Sequence, residues 1–306
     1  MDARELTFPL VPRRRPVGSA FGRLRADRRG IGSSVATTRP YRPGDDPGGI
    51  DWKLSARLTS IRGEPSFMVR EDFADEAPRV VLVADRAATM SLYPDDLPWL
   101  SKPAALAAIW SAVATAAVRE LGAAGYLDTA PGPGWFPPRT AAGFAEVEAR
   151  QASAGWTGRR DGLETALGSL AQSRRSLPPG TFVFVCSDFT TPLRPEAWLR
   201  ALAFRWDVVP VVVQEPVWEQ SFPPVGGLVV PFVDPASGRV RKIRLTRKEA
   251  AARCEANEAR LAGLLADFRS LGLDPVVVGD AAPEAVVGAF TDWAGARLAN
   301  RRGEWR

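Results

Sequence analysis

Two acidic residues of this chain follow long apolar runs, and each has hydroxyl side chains close by in sequence. The run RVVLVAD ends on Asp85 and is followed by Thr89, and the run TFVFVCSD ends on Asp188. Carboxylates and hydroxyls, without histidine or thiolate, form a set of hard oxygen ligands that suits magnesium or calcium. One hypothesis is therefore a metal site built from these three residues. The alternative is that both acids cap the turns or helices that follow them.

A second concentration of polar groups is the segment YRPGDDPGGIDWKLSAR, residues 41–57. We expect a structural brace, in which its acids pair with Arg57 and Arg42 while its tryptophan packs between two units of the chain. The alternative is a carboxylate cluster with Asp85, suited to metal-assisted phosphoryl or glycosyl chemistry. The residues assigned to the brace are Asp45, Asp46, Asp51, Trp52 and Arg57.

Composition narrows the classes of function. With 306 residues, 45% hydrophobic and 25% charged, the chain has the composition of an ordinary globular protein. It contains no histidine, which excludes histidine bases, histidine-containing triads and the commonest zinc ligand. Its two cysteines, Cys186 and Cys254, cannot build a disulfide framework. No glycine-rich phosphate loop is present, so a nucleotide cofactor is not expected.

The positive charge is concentrated near the N-terminus. Residues 1–30 hold eight arginines against three acids, so their net charge equals the +5 of the whole chain. Through Arg13, Arg14 and Arg15 this arm could meet an anionic surface, or it could be a solvated basic tail. No aromatic residues interleave with these cations, which disfavours nucleic acid as a partner.

Apolar stretches are too short to indicate a membrane segment. The longest charge-free helical stretch, Pro103 to Val118, is rich in alanine and shorter than the roughly 20 apolar residues that a spanning helix needs. The N-terminus also lacks the apolar core of a signal peptide. We therefore expect a cytoplasmic protein without a transmembrane segment.

Four continuous apolar runs, rich in β-branched residues, are separated by helical patterns. This order predicts a doubly wound, mostly parallel sheet with helices on both faces. In such sheets, ligands bind beyond the carboxyl ends of the strands, where the strand order reverses. If the strands that end at Asp85 and Asp188 are neighbours there, their carboxylates converge on one crevice. The four runs are residues 79–85, 181–188, 207–213 and 274–280.

The chain is expected to fall into three parts. Residues 1–16 form a flexible basic arm, residues 17–77 a small β-rich N-terminal unit, and residues 78–300 the α/β domain. Pro210 lacks a backbone donor, which predicts that its strand lies near a sheet edge or at a bulge. Further expected elements are helices over 102–121, 161–173 and 247–271, a short strand with a long loop in 122–138, and a hairpin over 226–245.

The order of these motifs resembles a known family. The segment 41–57, followed by MVRED at 68–72 and LVADRAATMS at 82–91, resembles the domain of unknown function 58. Weaker matches at 135–139, 187–189 and 233–238 extend the resemblance over roughly residues 17–295. The resemblance implies a von Willebrand factor A-like domain.

That family often carries a metal-ion-dependent adhesion site of the form Asp-x-Ser-x-Ser. The corresponding positions here are Asp85, Ala87 and Thr89, and Asp188 fits the late aspartate. Ala87 lacks the expected hydroxyl, so the implied magnesium site is degenerate. The intervening threonine of the family has no clear match, although Asp161 falls near it and Thr165 lies one helical turn later.

The resemblance also implies a function. It indicates a non-catalytic protein-interaction module, an accessory factor to a MoxR-type AAA+ ATPase in assembly or maturation of other proteins. A bound Mg²⁺ would accept a carboxylate from the partner. The alternative from another class is a metal-dependent hydrolase that uses an acidic cluster around Asp85 and Asp188.

Overall fold

A computed structural model describes residues 6–13, 20–92, 100–159, 161–173 and 176–303, with backbone alone for 20–37, 71–76 and 301–303. The strands are β1 Ala20–Pro40, β2 Met68–Glu76, β3 Arg79–Ala84, β4 Ala123–Asp128, β5 Trp135–Arg139, β6 Phe182–Ser187, β7 Asp207–Val213, β8 Val229–Val233, β9 Val240–Arg244 and β10 Val276–Val278. The helices are α1 Trp52–Arg62, α2 Lys102–Arg119, α3 Phe144–Ser153, α4 Gly162–Leu170, α5 Pro195–Ala203, α6 Arg247–Ser270 and α7 Pro283–Gly303.

A six-stranded sheet with the order β10-β7-β6-β3-β4-β5 forms the centre of the α/β part. All neighbouring strands are parallel except β5, which runs antiparallel to β4. The four apolar runs are confirmed as strands β3, β6, β7 and β10. Pro210 lies in β7, next to the edge strand β10, whose pairing with β7 begins only at Val211. Pro210, which has no backbone N–H, therefore takes no part in the pairing of β7 with the edge strand. This agrees with the predicted position of its strand near a sheet edge.

Helices cover both faces of this sheet because its central strands are apolar on both sides. On one face Val80 and Leu82 of β3 pack in one core with residues of α2 and α7. On the other face Val81 and Val83 pack with residues of α4, α5 and α6. All four valine and leucine side chains are fully buried. The result is the mostly parallel α/β architecture that continuous apolar runs indicate.

The expected flexible arm is wrong for residues 6–13. Phe8, Leu10 and Val11 are buried in the core beside α2 and α7, and the Phe8 ring stacks on Phe290 with centroids 4.6 Å apart. Arg297 of α7 also donates to the carbonyl of Val11 at 2.8 Å. These residues are buried because apolar side chains occur at alternate positions, at Leu6, Phe8 and Leu10. The many arginines in the same part of the sequence led to the prediction of a flexible arm.

The cations of the arm are described only in part. The Arg13 side chain pairs with Asp274 at 3.1 Å, and its backbone N–H donates to Asp207 at 2.7 Å. This cation is therefore already engaged within the protein. Arg14 and Arg15, together with residues 1–5 and 16–19, lie outside the described residues, so their role stays a prediction.

The β-rich N-terminal part contains an antiparallel pair, β1 with β2, and the helix α1 between them. The sequence pattern predicted extended segments here but not α1. Asp51 starts this helix by accepting the N–H of Leu54 at 3.0 Å, and Gly63 ends it with φ +72°. A separate hairpin, β8 with β9, confirms the prediction for 226–245. Among the described residues, no helix is both long and apolar enough to cross a membrane.

Candidate functional site

The strand order reverses between β3 and β6. The chain passes from β3 to β4 on one side, and later from β6 to β7 and β10 on the other. Asp85 follows β3 and Asp188 follows β6, so the two acids meet at this point as the sequence predicts. Both line a crevice of about 720 Å³ together with Thr89, and the tip of the β8–β9 hairpin forms another part of its wall.

Asp85 is held in place by hydrogen bonds to both of its oxygens. Its Oδ2 accepts from the Ser187 hydroxyl at 2.7 Å, and its Oδ1 accepts from the Ala87 N–H at 2.9 Å. The Thr129 hydroxyl lies 3.4 Å from the same Oδ1. Burial raises the pKa of Asp85, and the charge of Asp188 adds to the increase, although the hydrogen bonds oppose it. Asp85 is thus held in a fixed position, and its pKa lies above the ordinary value.

Asp188 has the opposite electrostatic environment. Its Oδ2 lies 2.9 Å from the ammonium nitrogen of Lys102, and its Oδ1 accepts from the Thr190 N–H at 3.0 Å and hydroxyl at 2.9 Å. Burial alone would raise the pKa of Asp188. The Lys102 charge and hydrogen bonds, including one from Thr89, outweigh burial and lower that pKa. Of the two acids, Asp188 is therefore the one whose charged form the surroundings stabilise.

Lys102 is the site residue that the sequence did not reveal. Its side chain is fully buried, and its ammonium donates to Asp188, to Glu219 Oε1 at 2.7 Å and to the Thr89 carbonyl at 3.1 Å. It is the first residue of α2, an end of a helix where a cation is disfavoured by the helix dipole. A buried cation needs compensation at this position, and the two carboxylates supply it. One available signal was a lysine directly before the charge-free stretch from Pro103 to Val118.

Glu219 lies on a π-helical turn, Pro216–Gln220, that follows β7. Burial raises its pKa, while the charge of Lys102 opposes the increase. Arg260 of α6 donates to the carbonyl of Glu219 at 2.7 Å and to Gln214 Oε1 at 3.2 Å. The amide of Gln214 donates in turn to the carbonyl of Asp188. Helix α6 therefore fixes the position of the ion cluster.

Asp161 and Thr165 are the two residues considered for the threonine of the family pattern. Asp161 directly precedes α4, and Thr165 lies on α4. Asp161 lines the crevice and pairs with Arg159 at 2.9 Å, which lowers the pKa of Asp161. Thr165 donates its hydroxyl to the carbonyl of Asp161. The threonine hydroxyl near Asp85 belongs instead to Thr129, which follows β4 and also accepts the N–H of Arg86 at 2.8 Å. The sequence predicted a short strand within 122–138 but not where that strand ends, so Thr129 was not recognised as a neighbour of Asp85.

The acids of the segment 41–57 bind groups within that segment or at the end of β1, next to it in sequence. Asp45 forms a bidentate ion pair with Arg39, and its hydrogen bonds with Arg39 and the Arg42 N–H lower its pKa to about 2. Asp46 accepts the N–H of Gly48 at 2.9 Å, and Asp51 caps α1. The predicted pairing with Arg57 is therefore wrong: the cation is Arg39, which faces Asp45 from the end of β1.

Trp52 also differs from the expectation. It is 63% exposed, and its ring contacts Phe67 edge-on at 6.1 Å rather than being enclosed between two units. Arg57 is exposed on the same helix. The acids of this segment do not reach Asp85 either. Among the described residues, no three or more acidic or cysteine side chains converge closely enough to hold a metal ion.

The residues present do not fit a magnesium ion well. Each oxygen of Asp85 and Asp188 already accepts a hydrogen bond or an ion pair, and Ala87 offers no side-chain oxygen. A divalent cation at Asp188 would also face the ammonium of Lys102 at short range in a buried site. The three oxygens around Lys102 accept hydrogen bonds from its ammonium group, which therefore already occupies the position of a cation. Metal binding by Asp85, Thr89 and Asp188 stays a prediction that calorimetry can test.

The fold and crevice define a class of protein: an α/β domain with an acidic crevice at the carboxyl end of a mostly parallel sheet. The chain belongs to the family described as protein of unknown function DUF58, whose model matches residues 37–262. No curated protein matches the chain.

Two solved structures are similar to the chain over most of its length. The conserved hypothetical protein BatB from Bacteroides thetaiotaomicron is 18% identical, with a TM-score of 0.40, and the match covers 71% of this chain and 99% of that one. An aerotolerance-related membrane protein from Bacteroides fragilis, with multiple mutations to serines, is 14% identical with a TM-score of 0.43, covering 72% and 99%.

Proposed function

We propose that this protein is a non-catalytic protein-interaction module that presents the crevice between β3 and β6 to a partner protein. The buried cluster of Lys102, Asp188 and Glu219 is the observation that supports this most. It supplies a fixed positive charge inside the site, so the crevice keeps its shape without a metal. In the von Willebrand factor A-like arrangement that the family resemblance implies, a metal ion would have that role.

The charges that line the crevice favour a basic partner. Five acidic side chains line it against two arginines, and the Lys102 ammonium is buried beneath Asp188. A protruding lysine or arginine of the partner therefore complements the crevice better than a carboxylate does. The lining acids are Asp85, Asp161, Glu164, Asp188 and Asp234, and the lining arginines are Arg159 and Arg194.

The family resemblance supplies the identity of the partner: a MoxR-type AAA+ ATPase, beside which this chain would act in assembly or maturation of other proteins. The test is binding of the purified MoxR-type ATPase of the same organism to the intact chain, in nucleotide-free buffer with either magnesium or EDTA. We expect equal affinity in both buffers. Binding that disappears in EDTA would contradict a metal-independent interface, and no binding in either buffer would exclude this ATPase as the partner.

A charge-reversal variant locates the interface. Asp161→Arg changes an acid on the rim of the crevice, whereas Glu255→Arg changes an exposed acid of α6 outside the crevice. The first is expected to weaken binding about tenfold or more, since like charges then face each other. The second should leave affinity unchanged. Equal effects of the two variants would show that the crevice is not the contact surface.

A second candidate function is a metal-dependent hydrolase. It is favoured by one observation, since Asp85 has a raised pKa and lines a crevice of useful size, as catalytic acids often do. This reaction needs a metal, which the hydrogen-bonded oxygens of Asp85 and the ammonium of Lys102 oppose. Calorimetry with magnesium, calcium and manganese separates the two functions, because the hydrolase requires binding of at least one of these ions.

A further inference from the structure

A second cavity lies beside the end of β3 and shares no lining residue with the crevice. Its volume is about 500 Å³, and its walls come from α2, the end of α3 and the connection from α3 to α4. Arg86, which directly follows Asp85, lines this cavity, whereas Asp85 lines the crevice. The residues of this second cavity that matter most for its chemistry are Arg86, Leu106, Trp110, Gln151 and Trp156.

Arg86 is a buried cation that has no carboxylate partner among the described residues. Its side chain is 1% exposed, and within the described part of the chain no acidic group forms an ion pair with it. One guanidinium nitrogen donates to the Tyr126 hydroxyl at 3.0 Å, and the guanidinium carbon lies 4.5 Å from the centre of the Trp156 ring. Burial raises the pKa of Tyr126, so this phenol is neutral near pH 7 and adds no countercharge.

Two buried donors on this cavity have no acceptor in the part of the chain that the structure describes. They are the Nε of Arg86 and the Nε2 of Gln151 on α3. Such groups are rare in native proteins, because a buried donor without an acceptor is destabilising and an uncompensated buried charge is more so. Two such donors lie on one cavity, and one of them belongs to a cation. This combination indicates a binding site for an anion.

We propose that this cavity binds an organic carboxylate with an apolar body. The carboxylate accepts hydrogen bonds from Arg86 Nε and Gln151 Nε2 and supplies the missing negative charge. The apolar body contacts Leu106, Trp110 and Trp156, which line the same space. Glu148, on the exposed rim, disfavours ligands that carry further negative charge.

Trp156 controls access to the guanidinium. It is half-buried in the irregular connection that follows α3, and its ring covers Arg86. Because Arg86 is almost inaccessible in this arrangement, the ring has to move aside when the ligand enters. The connection itself stays attached, since the N–H of Gly158 donates to the Arg86 carbonyl at 2.8 Å.

The same chemistry is offered by a free aromatic acid and by the C-terminal residue of a peptide. Calorimetry on the intact chain compares benzoate, benzamide, and a short peptide ending in phenylalanine with either a free or an amidated C-terminus. We expect the carboxylates to bind about tenfold or more tightly than their amides, because a charge-assisted hydrogen bond contributes about 1.5–3 kcal/mol. Tighter binding of the free-acid peptide than of benzoate assigns a peptide, and the reverse order assigns a small molecule.

Variants complete the test. Gln151→Leu and Arg86→Lys are both expected to weaken carboxylate binding about tenfold, whereas Gln172→Leu, an exposed glutamine after α4, should not change it. If Arg86→Lys fails to fold, Gln151→Leu still decides the outcome. In Trp156→Phe, the change in tryptophan fluorescence on binding should be smaller than in the native chain, because Trp110 still lines the cavity. The proposal is overturned if acid and amide bind equally, if Gln151→Leu binds like the native chain, or if neither carboxylate binds at about 10 mM.

Discussion

The ammonium nitrogen of Lys102 lies 2.9 Å from Oδ2 of Asp188, with neither side chain more than 2% exposed. This contact joins the start of α2 to the carboxyl end of β6, and Glu219 completes it from the turn after β7. The centre of the acidic crevice is therefore electrostatically compensated by the protein itself. That relationship explains how buried acids at the centre of the crevice are kept in place.

Removal of the Lys102 charge should be strongly destabilising. Lys102→Met leaves Asp188 and Glu219 buried without their cation, and loss of one partner from a buried ion pair decreases the free energy of unfolding by about 3–5 kcal/mol. Chemical denaturation measures the change. Lys53→Met, at an exposed lysine of α1, is the control and should change stability by less than about 0.5 kcal/mol. Similar values for the two variants would contradict the role assigned to Lys102.

Stability should fall on acidification because of Asp188. The folded-state pKa of Asp188 is lowered, so its contribution is fully present above its ordinary value of 3.8 and is lost as pH falls through the lower folded value. Asp188→Asn removes this term. Between about pH 5 and pH 2 its free energy of unfolding should decline less steeply than that of the native chain. Denaturation at several pH values tests this, with the exposed Asp292→Asn as control. Parallel declines for native chain and Asp188→Asn would refute it.

Close packing around Gly158 should make this position intolerant of a side chain. A Cβ there would lie 2.7 Å from the Thr129 hydroxyl and 2.9 Å from the Arg86 carbonyl, so backbone would have to shift beside both cavities. We expect Gly158→Ala to destabilise by about 1–3 kcal/mol. Gly168→Ala is the matched control, since its Cβ meets nothing within 4 Å in α4 and should be neutral or stabilising. Thermal unfolding compares them, and an unchanged melting temperature for Gly158→Ala would show that the connection has room.

The convergence of Asp85 and Asp188 was predictable because it depends on simple patterns. Continuous β-branched runs indicate buried parallel strands, and an acid at the end of each run marks the sheet edge where ligands bind. Lys102 was not predictable in the same way, since its two acidic partners lie 86 and 117 residues further along the chain. Only the folded sheet and the turn after β7 bring these three residues together.

The contacts of Asp45 and Phe8 could not be predicted from the sequence either, for a different reason. Two arginines, Arg39 and Arg42, lie within six residues of Asp45, and pairing with the Arg39 side chain depends on the direction of β1. Likewise, the burial of Phe8 follows from its contact with Phe290, near the other end of the chain. The charge pattern of the N-terminus gave no indication of that contact.

In the proposed function, the Lys102 ammonium takes the place of a metal ion in the crevice. Calorimetric titration of the intact native chain with Mg²⁺, beside Lys102→Met under conditions where that variant is folded, tests it most directly. Without the ammonium, Asp188 and Glu219 are free to accept an external cation. We predict no Mg²⁺ binding to the native chain at millimolar concentrations and measurable binding to Lys102→Met. Binding to the native chain that is lost in Asp188→Asn would contradict the account.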